Sequence, residues 1–272
     1  MLTVILTALF GVGVGIGLSP LGLGVCAGYG WSTFWGVVSF GVMNAIVGHM
    51  INKRVKAAMG AVQNILMSGQ KQLQAKIARW QMRPPGSLQA AQDEIARDQR
   101  AFVKEAVEQT EPLHRFDLWV PLMKRQIATA QFQLYWMLKD FKKVDELMEK
   151  AFFMDPTMSA MRLARMYMLD KPSAEIGKVY EKAVRRVRYN QNVLLAAAYS
   201  WMLVKRNEID DAFKVLTHAL EKSDNETLKA NRELLANNRV AHFTNTALGD
   251  QWYALLLEEP KVHQQRPRQQ WR

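Results

Sequence analysis

Residues 31–56 read WSTFWGVVSFGVMNAIVGHMINKRVK, and their order decides how the rest of the chain is understood. Trp31 to Ile51 is 21 residues without a charge, about 31 Å at ~1.5 Å per helical residue. A hydrocarbon core is about 30 Å thick, so this stretch is long enough to span it. Tyr29, Trp31, Phe34 and Trp35 cluster at one end, as an aromatic belt does. Lys53, Arg54 and Lys56 stand at the other end, which positive-inside sorting places in the cytoplasm.

On the N-terminal side, Leu2 to Leu18 is a second apolar stretch of about 25 Å, marginal for a full crossing. Ser19-Pro20 and the glycine-rich run Leu21 to Gly30 predict a short turn. The expectation is a transmembrane hairpin over residues 1–52 with both termini cytoplasmic, in an inner or plasma membrane. No Lys or Arg precedes the first stretch, which argues against a cleaved signal peptide. Gly11, Gly13, Gly15 and Gly17 supply two small-xxx-small spacings, which allow close approach of helix backbones in lipid.

The net charge of +11, from 36 Lys+Arg against 25 Asp+Glu, is divided unevenly. Residues 1–52 carry none of these side chains, and residues 53–92 carry Lys53, Arg54, Lys56, Lys71, Lys76, Arg79 and Arg83 with no acid. Residues 93–260 balance, and the tail 261–272 adds four bases. A neutral body argues against nucleic acid as a partner. One cysteine, Cys26, excludes an internal disulfide and any cysteine-based zinc site. No two of His49, His114, His218, His242 and His263 lie within four residues of each other, so no His-x-x-x-His metal pair exists. Asp210-Asp211 and Glu258-Glu259 are sequence neighbours, about 100° apart on a helix, and do not converge as an acid/base couple. No enzymatic activity and no cofactor is expected.

From Val55 to Trp80 apolar residues recur at helical spacing: Val55, Met59, Val62, Leu66, Gly69, Leu73, Ile77 and Trp80. This neck, residues 53–86, ends at Pro84-Pro85-Gly86. Its stripe has three possible partners. It can be a coiled-coil seam that makes an oligomer. It can lie along a membrane surface with Lys53, Arg54, Lys56, Lys71, Lys76, Arg79 and Arg83 on anionic headgroups. It can pack on the protein's own body.

Beyond the neck, Ser87 predicts an N-cap for a polar helix from about Leu88 to Gln109. From about Lys124 a period appears: Ala151, Ala183, Ala219 and Ala254 are separated by 32, 36 and 35 residues. A period near 34 predicts stacked helix–turn–helix units. Tyr135 with Ala151 and Asp155-Pro156 marks a unit at about 125–156. Ala164, Tyr167, Tyr180 and Ala183 mark 157–192, with an irregular turn at Asp170 to Ser173. Tyr199, Ala212, Leu216 and Ala219 mark 193–226, and Ala247, Ala254 and Pro260 mark 227–260. The pattern resembles the tetratricopeptide repeat family, although the turn glycine is missing from every unit.

The expected fold is all-α: a transmembrane hairpin followed by an α-solenoid of tetratricopeptide-like units across residues 87–260, with a basic, disordered tail at 261–272. The resemblance implies a concave face on the first helices. It would carry Gln126, Thr129, Gln133 and Trp136, then Met161, Arg165 and Met168, then Ala197, Trp201 and Val204, then Arg232 and Arg239. Such a groove, apolar in the middle and basic at one end, suits a protein or peptide partner with an acidic stretch. A second cluster, Lys178, Lys182, Arg185, Arg186 and Arg188, falls on a second helix and should face outward. The function expected is a membrane-anchored scaffold or adaptor that recruits a protein on the cytoplasmic side. The alternative is a structural subunit of a membrane-bound oligomer, with hairpin and neck as the oligomerising element.

Overall fold

No proline lies between Pro20 and Pro84, and the helix that begins in the apolar stretch does not stop where the charges begin. The structure is a computed structural model that describes residues 2–17, 29–82, 87–117 and 122–260, all of whose regular elements are helical. By internal contacts the chain divides at Phe152/Phe153 into two compact units.

The first unit opens with α1 (Leu2–Gly17) and α2 (Tyr29–Met82). α2 has 54 residues and a length of about 81 Å. The composition shift at Asn52 therefore falls inside one continuous helix, not at a structural boundary between hairpin and neck. Among the described residues α2 is the one helix long and apolar enough to cross a membrane. α1 has 16 residues, about 24 Å, short of a ~30 Å core. The turn expected between them, the side chains of Tyr29 and Trp31, Arg83, the break at Pro84-Pro85-Gly86 and the tail 261–272 lie outside the described residues.

α1 packs along α2. A Cβ built on Gly11 would lie 2.7 Å from the Gly36 carbonyl oxygen and 2.7 Å from Phe40 Cβ, and one built on Gly36 would lie 3.4 Å from Gly15 Cα. Gly11 and Gly15 are the glycines at this contact. Gly13 and Gly17 have open space around them, so two of the four expected packing glycines face away from α2.

α3 (Leu88–Glu108) is capped by Ser87, whose hydroxyl accepts from the Ala90 amide. It returns along α2 in the opposite direction. Lys76 pairs with Glu94 at 2.6 Å and with Asp98 near one end, Gly69 meets the Phe102 ring, and Val62 meets Val103, Ala106 and Val107 further on. A 3-10 turn, Glu111–Phe116, leads to α4 (Met123–Met137) and α5 (Phe141–Met148). Val55, Ala58 and Met59 pack with Leu113, Phe116, Met123 and Ile127, while Ile65 and Leu66 pack into the cluster that includes Leu134. The part of the neck stripe from Val55 to Gly69 thus packs on the protein's own helices, while Ile77 is exposed. That part is not a free coiled-coil seam.

The second unit holds α6 (Pro156–Met168), α7 (Ser173–Val184), α8 (Val193–Lys205), α9 (Ile209–Leu220) and α10 (Glu226–Ala236). α8 packs on α6 and α7, and α10 packs on α9 and α8. Counting α4, the leading helices of successive pairs start at Met123, Pro156, Val193 and Glu226, intervals of 33, 37 and 33 residues. Each leading helix ends the same way. The second residue past it is left-handed: Lys139 (φ 57°), Asp170 (53°), Asn207 (61°) and Asn238 (55°). The next amide donates back to a carbonyl five residues earlier: Asp140 to Tyr135, Lys171 to Met166, Glu208 to Leu203 and Arg239 to Leu234. That is the Schellman arrangement, usually made with glycine.

The fourth pair is incomplete. After α10 the chain makes 3-10 turns at Val240–His242 and Thr246–Leu248 and a four-residue helix, α11 (Asp250–Tyr253). Ala247, expected to match a helical repeat position, lies in a 3-10 turn, and Ala254 is exposed just past α11. Gly249 (φ 61°) breaks the segment into pieces too short for a packed second helix.

Candidate functional site

In the first unit Trp136 is buried, stacked on Phe132 (6.1 Å) and edge-on to Phe141 (5.8 Å), and forms the centre of the α4/α5 hairpin rather than a groove wall. Gln126 and Gln133 are exposed on α4. The Thr129 hydroxyl accepts from the Phe152 amide at 2.7 Å and donates to the Arg125 carbonyl, which ties down the exit from α5.

In the second unit Met161, Ala197 and Trp201 are buried, while Arg165, Met168, Val204 and Arg232 are half-buried and Arg239 is exposed. Trp201 lies edge-on between Tyr167 (5.5 Å) and Trp252 (5.8 Å). The Lys205 ammonium lies 5.1 Å from the Trp201 ring centre, and the Arg206 guanidinium 5.3 Å from that of Tyr167. The Glu258 carboxylate accepts from both indoles: Trp201 Nε1 donates to Oε1 and Trp252 Nε1 to Oε2, each at 2.8 Å. A charged acceptor facing two N–H donors makes the stronger kind of hydrogen bond. The middle of the expected groove is therefore core, covered by the chain's own segment 250–258.

Two buried asparagines fix the path of that segment. Asn231 donates to the Thr244 carbonyl and to Asn245 Oδ1, and accepts from the Thr244 amide. Asn245 donates to the Ala197 carbonyl at 3.0 Å. Sequence reasoning missed this network and the Glu258 bridge. Their only signal is polar residues and a tryptophan in a stretch that the repeat period assigns to helix.

A cleft of about 700 Å³ separates α7 from α9. Tyr180 and Tyr199 stack at its base, with ring centres 4.7 Å apart. The Tyr199 hydroxyl lies 2.6 Å from where a Cβ on Gly177 would stand, and donates to the Ser173 carbonyl. Burial pushes both hydroxyls above the ordinary tyrosine range, so the stack is neutral. Ser173 donates to Glu208 at 2.5 Å and accepts from Arg206, which also pairs with Asp170. Lys178, Lys182, Arg185, Arg186 and Arg188 are exposed on and just past α7.

In the neck, Lys53, Arg54, Lys56, Lys71 and Arg79 are exposed, whereas Lys76 is held by Glu94 and Asp98 and faces α3 rather than a lipid headgroup. Among the described residues no three His, Cys, Asp or Glu side chains gather as metal ligands would. In comparison with known proteins, the chain matches no family, no curated protein and no solved structure.

Proposed function

We propose that the chain is a membrane-anchored scaffold: α1 and α2 hold it in a bilayer, and its helical hairpins recruit a protein partner on the cytoplasmic side. The observation that carries the anchor is the direction of its apolar side chains. Val4, Ile5, Leu9, Phe10, Val12 and Ile16 of α1 and Phe34, Trp35, Val37, Val42, Ile46 and Met50 of α2 are all exposed, while Gly11, Gly15 and Gly36 lie between the helices. Such an exterior is favourable in hydrocarbon and costs about 25 cal/mol per Å² in water.

The helix register supports two crossings. Gly11 opposite Gly36 and Phe40, in antiparallel helices of equal rise, brings Leu2 level with about Val47. α1 then covers most of the depth that α2 crosses, with both ends of the pair on the side of Lys53, Arg54 and Lys56. The 33- to 37-residue spacing of the hairpins and their shared left-handed exits support a tetratricopeptide-like solenoid. With Met161 and Trp201 buried, the surface of the second unit left for a partner is basic: Arg165, Arg232 and Arg239. That suits an acidic peptide. The oligomeric alternative has less support, because Val55 to Gly69 of the neck stripe pack on α3, the 3-10 turn and α4.

Fractionation of cells that make the full chain tests the anchor. Retention in alkaline-washed membranes is expected, and recovery in the soluble fraction without detergent refutes it. Substituting Arg165, Arg232 and Arg239 by alanine in the full chain should reduce capture of an acidic partner in a pull-down with helicity unchanged. Undiminished capture refutes the surface.

A further inference from the structure

The 3-10 turn Glu111–Phe116 is not required by any helical repeat, yet it occupies a defined level on α2. α3 carries the chain back along α2, and Leu113 is buried beside Val55, Ala58, Met59 and Phe116. This level is where the apolar run ends and the bases begin. Here α2 and the turn enclose a notch of about 420 Å³ lined by Val47, Met50, Ile51, Arg54, Arg115 and Phe116. Four of the six are apolar and two are arginines.

Neither arginine is neutralised. Arg54 is exposed and makes no hydrogen bond or ion pair among the described residues. Arg115 donates through Nε to the Pro112 carbonyl at 2.7 Å, and its guanidinium lies 5.8 Å from the centre of the Phe116 ring. Of the acids beside the turn, Glu111 accepts from Gln131 and Asp117 Oδ2 lies 3.1 Å from His114 Nδ1, and neither lines the notch. The notch thus offers two cationic, multi-donor heads above an apolar wall, with no carboxylate to receive an ammonium group.

We propose that this notch binds one anionic phospholipid, with the phosphate between Arg54 and Arg115 and an acyl chain along Val47, Met50, Ile51 and Phe116. The inference rests on the anchored reading above. If α2 crosses with Ile51 at the hydrocarbon edge, Arg54 stands about 4.5 Å beyond it, within the headgroup layer. Guanidinium groups match phosphate oxygens in bidentate geometry, which favours arginine over lysine at such a position. The apolar wall selects a lipid over a free phosphate, and the two unopposed cations select an anionic headgroup over a zwitterionic one.

The test uses the full chain in mild detergent, titrated with phosphatidylglycerol, with phosphatidylcholine of the same chains and with inorganic phosphate, and read by native mass spectrometry. One phosphatidylglycerol per chain is expected to be retained in preference to phosphatidylcholine. Arg54→Gln and Arg115→Gln should each weaken retention about fivefold, and the double variant about thirtyfold. Equal affinity of the double variant and the wild type overturns the site. So does equal retention of both lipids, or displacement of the lipid by inorganic phosphate at equal concentration.

A photoreactive phosphatidylglycerol gives a measurement on the unaltered chain. It should label peptides 47–54 and 111–117, and labelling confined to other regions overturns the site. Alkaline-washed membranes separate the two failures. Wild-type chain that leaves the membrane refutes the anchor. Wild-type chain that stays, with unchanged lipid binding in the double variant, refutes the lipid site alone.

Discussion

At the scale of the residue, the four left-handed exits are the clearest mark of repetition in the chain. Lys139, Asp170, Asn207 and Asn238 stand where glycine is usual. Asn and Asp tolerate φ near +55° through their short polar side chains, whereas a lysine Cβ is crowded there by about 1–2 kcal/mol. Glycine gives back part of that gain through its freer unfolded chain. Lys139→Gly should therefore raise stability by about 0.5–1 kcal/mol, and Asn207→Gly should leave it nearly unchanged, as measured by chemical denaturation of the full chain. Equal effects of the two would contradict this assignment. Glu258 invites an isosteric test. Glutamine keeps one acceptor oxygen for one indole and turns an NH₂ group toward the other. With charged hydrogen bonds worth about 1.5–3 kcal/mol, reduced by partial exposure, Glu258→Gln should raise hydrogen exchange at residues 252–256 by roughly ten- to a hundredfold. Unaltered exchange would mean that the buried asparagines alone hold the segment.

At the scale of the element, periodicity revealed that the neck is a helix with one apolar face, but not what covers that face. The same 3–4 spacing describes a coiled-coil seam, a membrane-lying helix and a packed helix. What separates them is Phe102, Val103 and Leu113, which reach Gly69, Val62 and Val55 only after the chain has turned back at residues the stripe does not contain. The second and third helical pairs were legible because small and large residues recur on them: Ala164, Ala183, Ala212 and Ala219 are all buried, whereas Ala151, expected on the second helix of the first pair, lies half-buried in a bend past α5. The fourth was not. Ala254 and Pro260 keep the spacing, while Gly249 and the side-chain bonds of Asn231 and Asn245 replace the second helix with turns. The expected groove failed for a related reason, since an aromatic on a leading helix serves equally as wall or as core, and segment 250–258 makes Trp201 core. The glycines of α2 give a paired prediction. A methyl group on Gly69 collides with the Phe102 ring, so Gly69→Ala should cost about 1–3 kcal/mol. Gly60 has open space around it, and Gly60→Ala should stabilise by up to about 1 kcal/mol through helix propensity alone. Denaturation midpoints of the two variants should move in opposite directions, and a shared direction would place the close α2–α3 contact elsewhere.

At the scale of the whole molecule, the continuity of α2 changes the meaning of the basic neck. If Trp31–Ile51 crosses the bilayer, the axis carries Lys53, Arg54 and Lys56 to within about 8 Å of the hydrocarbon edge, but carries Lys71 about 30 Å away and Arg79 about 42 Å away. The Debye length in physiological salt is about 8 Å, so an anionic leaflet acts on the first three bases and hardly on the last two. Lys76 is neutralised by Glu94 and Asp98. The seven charges are then not one surface clamp. Three sit at the sorting position, one closes a helix pair, and two lie in solvent with no lipid to meet, while Arg83 falls outside the described residues. Lys53→Gln with Lys56→Gln should lower the fraction of chains inserted with residues 87–260 on the cytoplasmic side, read by protease protection in sealed vesicles. Lys71→Gln with Arg79→Gln should leave that fraction unchanged. A helix lying along the surface would remove the difference, because all of its bases would then be equally close to headgroups. An equal response from the two pairs would accordingly show that α2 rests on the membrane instead of crossing it.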